Sequence, residues 1–210
     1  MAHIVLLGDS IFDNKSYVGS GKDVVTHLRE TIPADWRATL KAVDGSVAEN
    51  VTDQIADLPE NATHLIISVG GNDALMNAGI LQMSASSAAE VLSKLADAQN
   101  DFEAVYQEML AAVLSKNLPT AVCTIYYPNF PDPNLQKIAV AALANFNDTI
   151  IRQAIYNNLP LLDLRLICSE KSDYANPIEP SDSGGKKIAQ KIYELIRNHD
   201  FSRQRTEIFA

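Results

Sequence analysis

Cysteine is scarce in this chain, with two residues among 210. Both of them, Cys123 and Cys168, stand in apolar stretches that resemble buried strand positions, where a free thiol behaves as a small hydrophobic side chain. No two cysteines have the short spacing of a metal-ligand pair. The sequence therefore argues against a disulfide-stabilised scaffold and against a metal site.

Positive charge and long apolar runs are also lacking. The chain has 17 Lys and Arg against 26 Asp and Glu, a formal net charge of -9. A surface that binds nucleic acid needs clustered cations to displace phosphate counterions, so nucleic acid is not an expected partner. No apolar run approaches the ~20 residues that cross a bilayer, and the first residues show neither a basic region nor a cleavage site. We expect a cytoplasmic protein without a membrane span, and the oligomeric state stays open.

What the sequence does contain is a sizeable apolar fraction, 47% of 210 residues, which favours one domain over residues 1–210. Short apolar runs alternate with longer segments of helical periodicity, the pattern of βαβ units around a parallel sheet. The strands are predicted at residues 3–7, 38–43, 65–69, 120–126 and 161–164. The helices are predicted at residues 22–31, 47–58, 88–115, 135–157 and 184–198. The polar tail, residues 199–210, is predicted to be solvated or to extend the last helix.

Four polar segments follow these apolar runs or precede the last helix. They are residues 8–14, 44–46, 70–73 and 176–181. The carboxyl ends of parallel strands meet at one edge of a sheet, which is where such sheets place their chemistry. We therefore expect the four segments to converge.

The first three segments contain the parts of an acyl-transfer site. Ser10 follows a strand and Gly8, which permits a sharp turn, so its hydroxyl can stand clear of the sheet. Gly45 offers a backbone N–H with no side chain in the way, and Asn72 offers an amide donor, as an oxyanion hole requires. Each segment alone also fits an ordinary turn or a helix cap. Three such groups at three strand ends are harder to explain as independent turns.

Gly8-Asp9-Ser10, Gly45 and Gly70-x-Asn72-Asp73 resemble the first three sequence blocks of the SGNH, or GDSL, hydrolases, in order along the chain. The resemblance implies that Ser10 is the nucleophile. It also implies an oxyanion hole formed by the N–H groups of Ser10 and Gly45 and the side chain of Asn72.

The fourth block of that family, Asp-x-x-His followed by Pro-Ser, is altered here. Glu179 stands where the histidine belongs and Asn176 where the aspartate belongs. No histidine can substitute from elsewhere. His3 and His64 stand at the amino ends of the first and third predicted strands, roughly 20 Å from their carboxyl ends at ~3.3 Å per residue. His27 lies well along the first predicted helix, and His199 lies at the far end of the last one, so both are remote from the site. All four are predicted to be structural.

We therefore predict that Glu179 is the general base and that the amide of Asn176 orients its carboxylate. An ordinary Glu pKa of ~4.3 lies about two units below that of His at ~6.5, and burial can recover much of the difference. The alternative is that Glu179 caps the helix that begins near Ser181 or Asp182, leaving a weak or inactive relative.

Two segments rich in apolar residues, 74–86 and 127–134, are predicted to shape the substrate pocket. Together these features predict a three-layer α/β/α sandwich with a flavodoxin-like five-stranded parallel sheet in the order 2-1-3-4-5. They also predict a serine esterase or lipase-like hydrolase that acts on a small acyl ester or acetylated carbohydrate through an acyl-Ser10 intermediate, with no cofactor. The rival hypothesis is a catalytically inactive protein of this fold that binds a ligand without turnover.

Overall fold

A single parallel sheet of six strands forms the middle layer of the computed structural model, which describes all 210 residues. Its strands are β1 His3–Gly8, β2 Arg37–Leu40, β3 His64–Ser68, β4 Thr120–Cys123, β5 Leu161–Leu162 and β8 Ile208–Phe209. Their order across the sheet is β2-β1-β3-β4-β5-β8, and every neighbouring pair is parallel. A separate antiparallel pair is formed by β6 Tyr174–Asn176 and β7 Glu179–Pro180.

Seven helices connect the strands. They are α1 Val24–Thr31, α2 Val51–Gln54, α3 Gly71–Met76, α4 Ala88–Leu114, α5 Pro133–Tyr156, α6 Leu164–Ile167 and α7 Asp182–Asn198. The two longest begin at side-chain caps: Ser87 accepts a bond from the N–H of Glu90, and Asp132 precedes a proline at the first position of α5. None of the helices combines the length and the apolar character that crossing a membrane requires.

The helices cover both faces of the sheet. Ile4 and Leu6 of β1 face a core shared with α1 and α7, whereas Val5 and Leu7 face a second core shared with α4 and α5. A strand that is buried on both faces reads as a continuous apolar run, which is what β1 shows. The predicted α/β/α sandwich and the order of its first five strands are confirmed.

Two predictions of secondary structure are wrong, one for residues 199–210 and one for residues 47–58. Residues 199–210 do not extend α7, because the chain reverses and Ile208–Phe209 becomes the sixth strand. The exposed edge of β5 needs hydrogen-bond partners, and the tail supplies them: the N–H of Leu161 donates to the carbonyl of Glu207 at 2.8 Å, and that of Asp163 to Phe209 at 2.8 Å. Residues 47–58, predicted as one helix, form the short α2 between two 3₁₀ turns.

Candidate active site

A sharp turn after β1 sets the position of Ser10. Gly8 has φ +124°, and a Cβ added there would lie 1.8 Å from the carbonyl oxygen of Ser68, so only glycine fits. The side chain of Gln54 holds the same residue, accepting from the N–H of Gly8 at 2.7 Å and donating to its carbonyl at 2.8 Å. No sequence pattern predicts this role of Gln54. These contacts fix the strand end from which Ser10 projects.

The hydroxyl of Ser10 meets the carboxylate of Glu179. Ser10 Oγ donates to Glu179 Oε1 at 3.0 Å, and both residues are buried. The second oxygen, Glu179 Oε2, makes no hydrogen bond within the protein. Burial raises the pKa of Glu179 to about 7, the bond from Ser10 acts in the opposite direction, and the negative charge of Asp44 adds to the rise. The arrangement therefore places a carboxylate of nearly neutral pKa against a serine hydroxyl, as general-base catalysis requires.

Asn176 does not orient this carboxylate, and that prediction is wrong. Its Oδ1 accepts from the backbone N–H groups of Ile178 at 2.9 Å and Glu179 at 3.0 Å, which forms a local turn. An amide side chain this close in sequence satisfies the nearest backbone donors first. Asn176 thus shapes the backbone that carries Glu179 without touching its carboxylate.

Glu179 does not cap the last helix either. α7 begins at Asp182, and its N-cap is Ser181, whose hydroxyl accepts from the N–H of Gly184 at 3.2 Å. Serine is a favoured residue at this position, so the helix has no need of a carboxylate three residues earlier. The side chain of Glu179 is left to face Ser10.

Three further residues hold the Glu179 loop, here meaning residues 176–180. The hydroxyl of Tyr126 donates to the carbonyl of Ile178, and the amide of Asn14 donates to the carbonyl of Pro180 at 3.1 Å. The N–H of Asn129 donates to the carbonyl of Pro177 at 2.8 Å. Sequence reasoning missed these contacts, because a partner far along the chain leaves no local pattern.

The candidate oxyanion donors follow three strands: Ser10 lies in the turn after β1, Gly45 in the loop after β2, and Asn72 in the first turn of α3 after β3. One hydrogen of the Asn72 amide is donated to the carbonyl of Ser46 at 2.9 Å, which fixes the side chain and leaves its second N–H without a partner in the protein. Gly45 has φ +81°. The backbone N–H groups of Gly45 and Ser10 make no hydrogen bond within the protein. Asp73 ties the loops together by accepting from the N–H of Ala48 at 3.1 Å.

A second buried acid stands beside the nucleophile. Asp9 accepts from the N–H of Ile11 at 3.1 Å, and burial raises its pKa to about 8, with smaller contributions from the charges of Glu179 and Asp73. Asp9 is therefore largely protonated at neutral pH. Nothing in the sequence pattern distinguished it from an ordinary turn aspartate.

A cavity of about 150 Å³ opens at Ser10, Asn72 and Glu179. Both segments predicted to shape the pocket contribute to its wall, through residues such as Leu81 and Phe130. α5 adds several further wall residues, among them Ala139, Ala142 and Phe146, and α4 adds Leu95. Gly45 is not part of this wall but lies next to Ser46, the residue to which Asn72 is bonded.

Comparison with known proteins decides the family. The family model described as the GDSL-like lipase/acylhydrolase family matches residues 6–186. The chain belongs to this GDSL-like family. Comparison of the sequence with curated proteins gives no significant match.

Solved structures of GDSL-like and related hydrolases share the fold. An extracellular lipase from Streptomyces rimosus superimposes with a TM-score of 0.67 at 15% identity, covering 95% of this chain and 100% of that one. A lipolytic G-D-S-L protein from Veillonella parvula gives 0.70 at 14% identity, with 95% and 100% covered. An acetyl xylan esterase gives 0.69 at 18% identity, with 92% and 99% covered. At these identities the likeness shows a common fold.

The histidines of this GDSL-like chain all lie away from the cavity wall. His27 joins α1 to α7 through Asp182 at 2.5 Å, and His199 bonds Glu207 of the tail at 2.6 Å. His3 and His64 each bond a threonine hydroxyl near the start of its strand. No three His, Cys, Asp or Glu side chains are grouped so that they could hold a metal ion.

Proposed function

We propose that this GDSL-like chain hydrolyses carboxylic esters through an acyl-Ser10 intermediate, with Glu179 as the general base. The observation that carries the proposal is the buried hydrogen bond of 3.0 Å from Ser10 Oγ to Glu179 Oε1. A nucleophile within reach of a base, beside unpaired donors, is the arrangement that acyl transfer requires.

The proposed reaction has two halves. Glu179 accepts the Ser10 proton as Oγ attacks the ester carbonyl, and the N–H groups of Ser10, Gly45 and Asn72 stabilise the oxyanion. The protonated Glu179 then donates to the leaving alkoxide, which departs as an alcohol. In the second half Glu179 takes a proton from water, hydroxide attacks the acyl-Ser10 carbonyl, and the proton returns to Ser10 Oγ as the carboxylic acid leaves.

The environment of Glu179 supports its use as a base. A pKa raised to about 7 is close to the ~6.5 of free histidine, so the carboxylate has a basicity similar to that of an imidazole. Burial of the side chain is the main cause of the raised pKa, and the negative charge of Asp44 adds to it. The second oxygen, Oε2, has no hydrogen-bond donor within the protein. Asp9, with its own pKa raised to about 8, adds no second full charge beside the reacting atoms at neutral pH.

A second candidate function is ligand binding without turnover, favoured by one observation. No side chain orients Glu179 through its free oxygen, since Asn176 bonds only backbone N–H groups of its own loop. A third group that orients the base is part of the usual triad arrangement. A binding protein needs no such orienting group, which is why this observation favours it.

Hydrolysis of short-chain aryl esters by wild type, Ser10→Ala and Glu179→Gln separates the two functions. We expect kcat to fall by at least ~100-fold in both variants, the typical size of a lost nucleophile or base. Melting temperatures within a few degrees of wild type would show that the variants are folded. Wild-type activity no higher than that of Ser10→Ala would overturn the esterase and leave the binding protein.

A further inference from the structure

The cavity beside Ser10 has a mostly apolar wall with a few polar groups. Ser10, Asn72 and Glu179 are among these polar groups, and 16 of the 24 residues of the wall are hydrophobic. The wall contains no Lys, Arg or His. A phosphate or a free carboxylate would meet no cation there, only the two acids Asp9 and Glu179. The group that enters is therefore uncharged and apolar.

Small side chains create the space. Ala139 and Ala142 of α5 face the cavity, and Ala74 and Ala78 come from α3 and the 3₁₀ turn that follows it. Larger residues such as Phe146 complete the wall. An apolar cavity of about 150 Å³ holds a group the size of benzene, about six carbon atoms. An acetyl group would leave most of this space unfilled.

The loop after β2, which carries the candidate oxyanion donor Gly45, lies outside the cavity wall and is exposed and polar. Gly45 and its neighbour Asp44 are exposed, and the Asp44 carboxylate accepts from the hydroxyl of Tyr17 at 2.7 Å. A leaving alcohol must depart before water can attack, whereas the acyl group stays attached to the serine. The exposed polar loop suits the alcohol, and the apolar cavity suits the acyl chain.

We infer that the cavity between α3, α4 and α5 binds the acyl chain, and that the substrates are esters of uncharged apolar acids of about four to eight carbons. This inference rests on the proposed function, because the acyl chain is placed relative to acyl-Ser10. It distinguishes the chain from an enzyme that removes acetyl groups, whose acyl part needs no such space.

The test compares two series of esters. In the first, the 4-nitrophenyl leaving group is constant and the acid runs from acetate through butyrate, hexanoate and octanoate to dodecanoate. In the second, the acid is acetate and the alcohol is lengthened. Wild-type kcat/KM is expected to rise by about tenfold or more from acetate to hexanoate, since each buried methylene strengthens binding severalfold, and then to fall for dodecanoate.

Three variants of α5 test the wall. Ala142→Phe fills the cavity, and we expect the ratio of hexanoate to acetate activity to fall at least ~tenfold. Leu143→Ala enlarges the cavity and is expected to shift the preferred chain toward octanoate, an effect that misfolding cannot produce. Ala144→Phe, on the same helix but exposed and outside the wall, is the matched control and should keep the wild-type ratio.

Two results would overturn the inference. In the first, acetate esters are the best substrates and the ratio of hexanoate to acetate activity is the same in every variant. In the second, Ala142→Phe changes the rates only in the series with a lengthened alcohol. If wild type hydrolyses no ester faster than Ser10→Ala, the proposed function fails, and the cavity is tested by binding. Methyl hexanoate, an uncharged probe, should then raise the melting temperature of Ser10→Ala more than methyl acetate does, and adding Ala142→Phe should abolish the difference. Equal shifts by the two esters would overturn the acyl site.

Discussion

At the scale of single residues, the pKa of Glu179 sets the pH range of the proposed activity. The carboxylate must be deprotonated to accept the Ser10 proton, and burial raises its pKa to about 7. We expect kcat/KM to be low in acid, to rise through about pH 7 and to level off above it. A profile that is already flat from pH 5 upward would contradict a base of this pKa.

Asp44 offers a way to move that profile. Its negative charge contributes to the raised pKa of Glu179, so Asp44→Asn should lower that pKa and shift the rising limb by a few tenths of a unit toward acid. Asp35→Asn, at an exposed site before β2, makes the same change in net charge and should leave the limb in place. Equal shifts in the two variants would point to net charge and not to Asp44.

At the scale of structural elements, the β4–α5 connection helps to position the Glu179 loop. The buried hydroxyl of Tyr126 donates to the carbonyl of Ile178, next to Glu179. Tyr126→Phe should lower kcat by about tenfold with little change in KM, at a cost of about 1–2 kcal/mol in stability. The rising limb of the pH profile should also shift, because the carboxylate is no longer fixed against Ser10.

Tyr174 is the control for this prediction. Its ring packs edge-on against Tyr126 with 5.3 Å between centroids, and its hydroxyl donates to the carbonyls of Tyr127 and Cys168. Tyr174→Phe should therefore lose stability without the change in pH profile. Matching kcat and pH effects in both variants would mean that Tyr126 acts only through general packing.

The four polar segments could be predicted from sequence because topology alone carries them to one edge of a parallel sheet. Ser10, Asn72 and Glu179 meet there as expected. The contacts that hold them, from Gln54, Tyr126 and Asn14, join residues far apart in the chain and leave no periodic signal. The contribution of α5 to the cavity could not be predicted for a related reason. In the sequence of a helix, an alanine that faces a cavity cannot be distinguished from one that packs in a core.

At the scale of the whole molecule, the tail was unpredictable because its strand has two residues and follows a run of charged side chains. Phe209 is half-buried against the core that α1 and α7 share, and Glu207 joins the tail to His199 of the α7 end. The charged composition of residues 199–210 therefore predicted a solvated tail. The tail forms β8 instead, because the edge of β5 needs hydrogen-bond partners.

Removing residues 207–210 should lower stability without abolishing hydrolysis. The truncation deletes β8, with its backbone bonds to β5, the bond between Glu207 and His199 and the buried part of Phe209, so we expect a loss of about 2 kcal/mol. β8 lies four strand spacings from β1, or roughly 19 Å from the strand that carries Ser10, so kcat should stay within about twofold. The midpoint of urea unfolding measures the loss of stability, and ester hydrolysis at low temperature measures kcat. Deletion of Ala210 alone, which keeps β8, is the control, and a midpoint equal to that of the longer truncation would show that the sixth strand adds nothing to the fold.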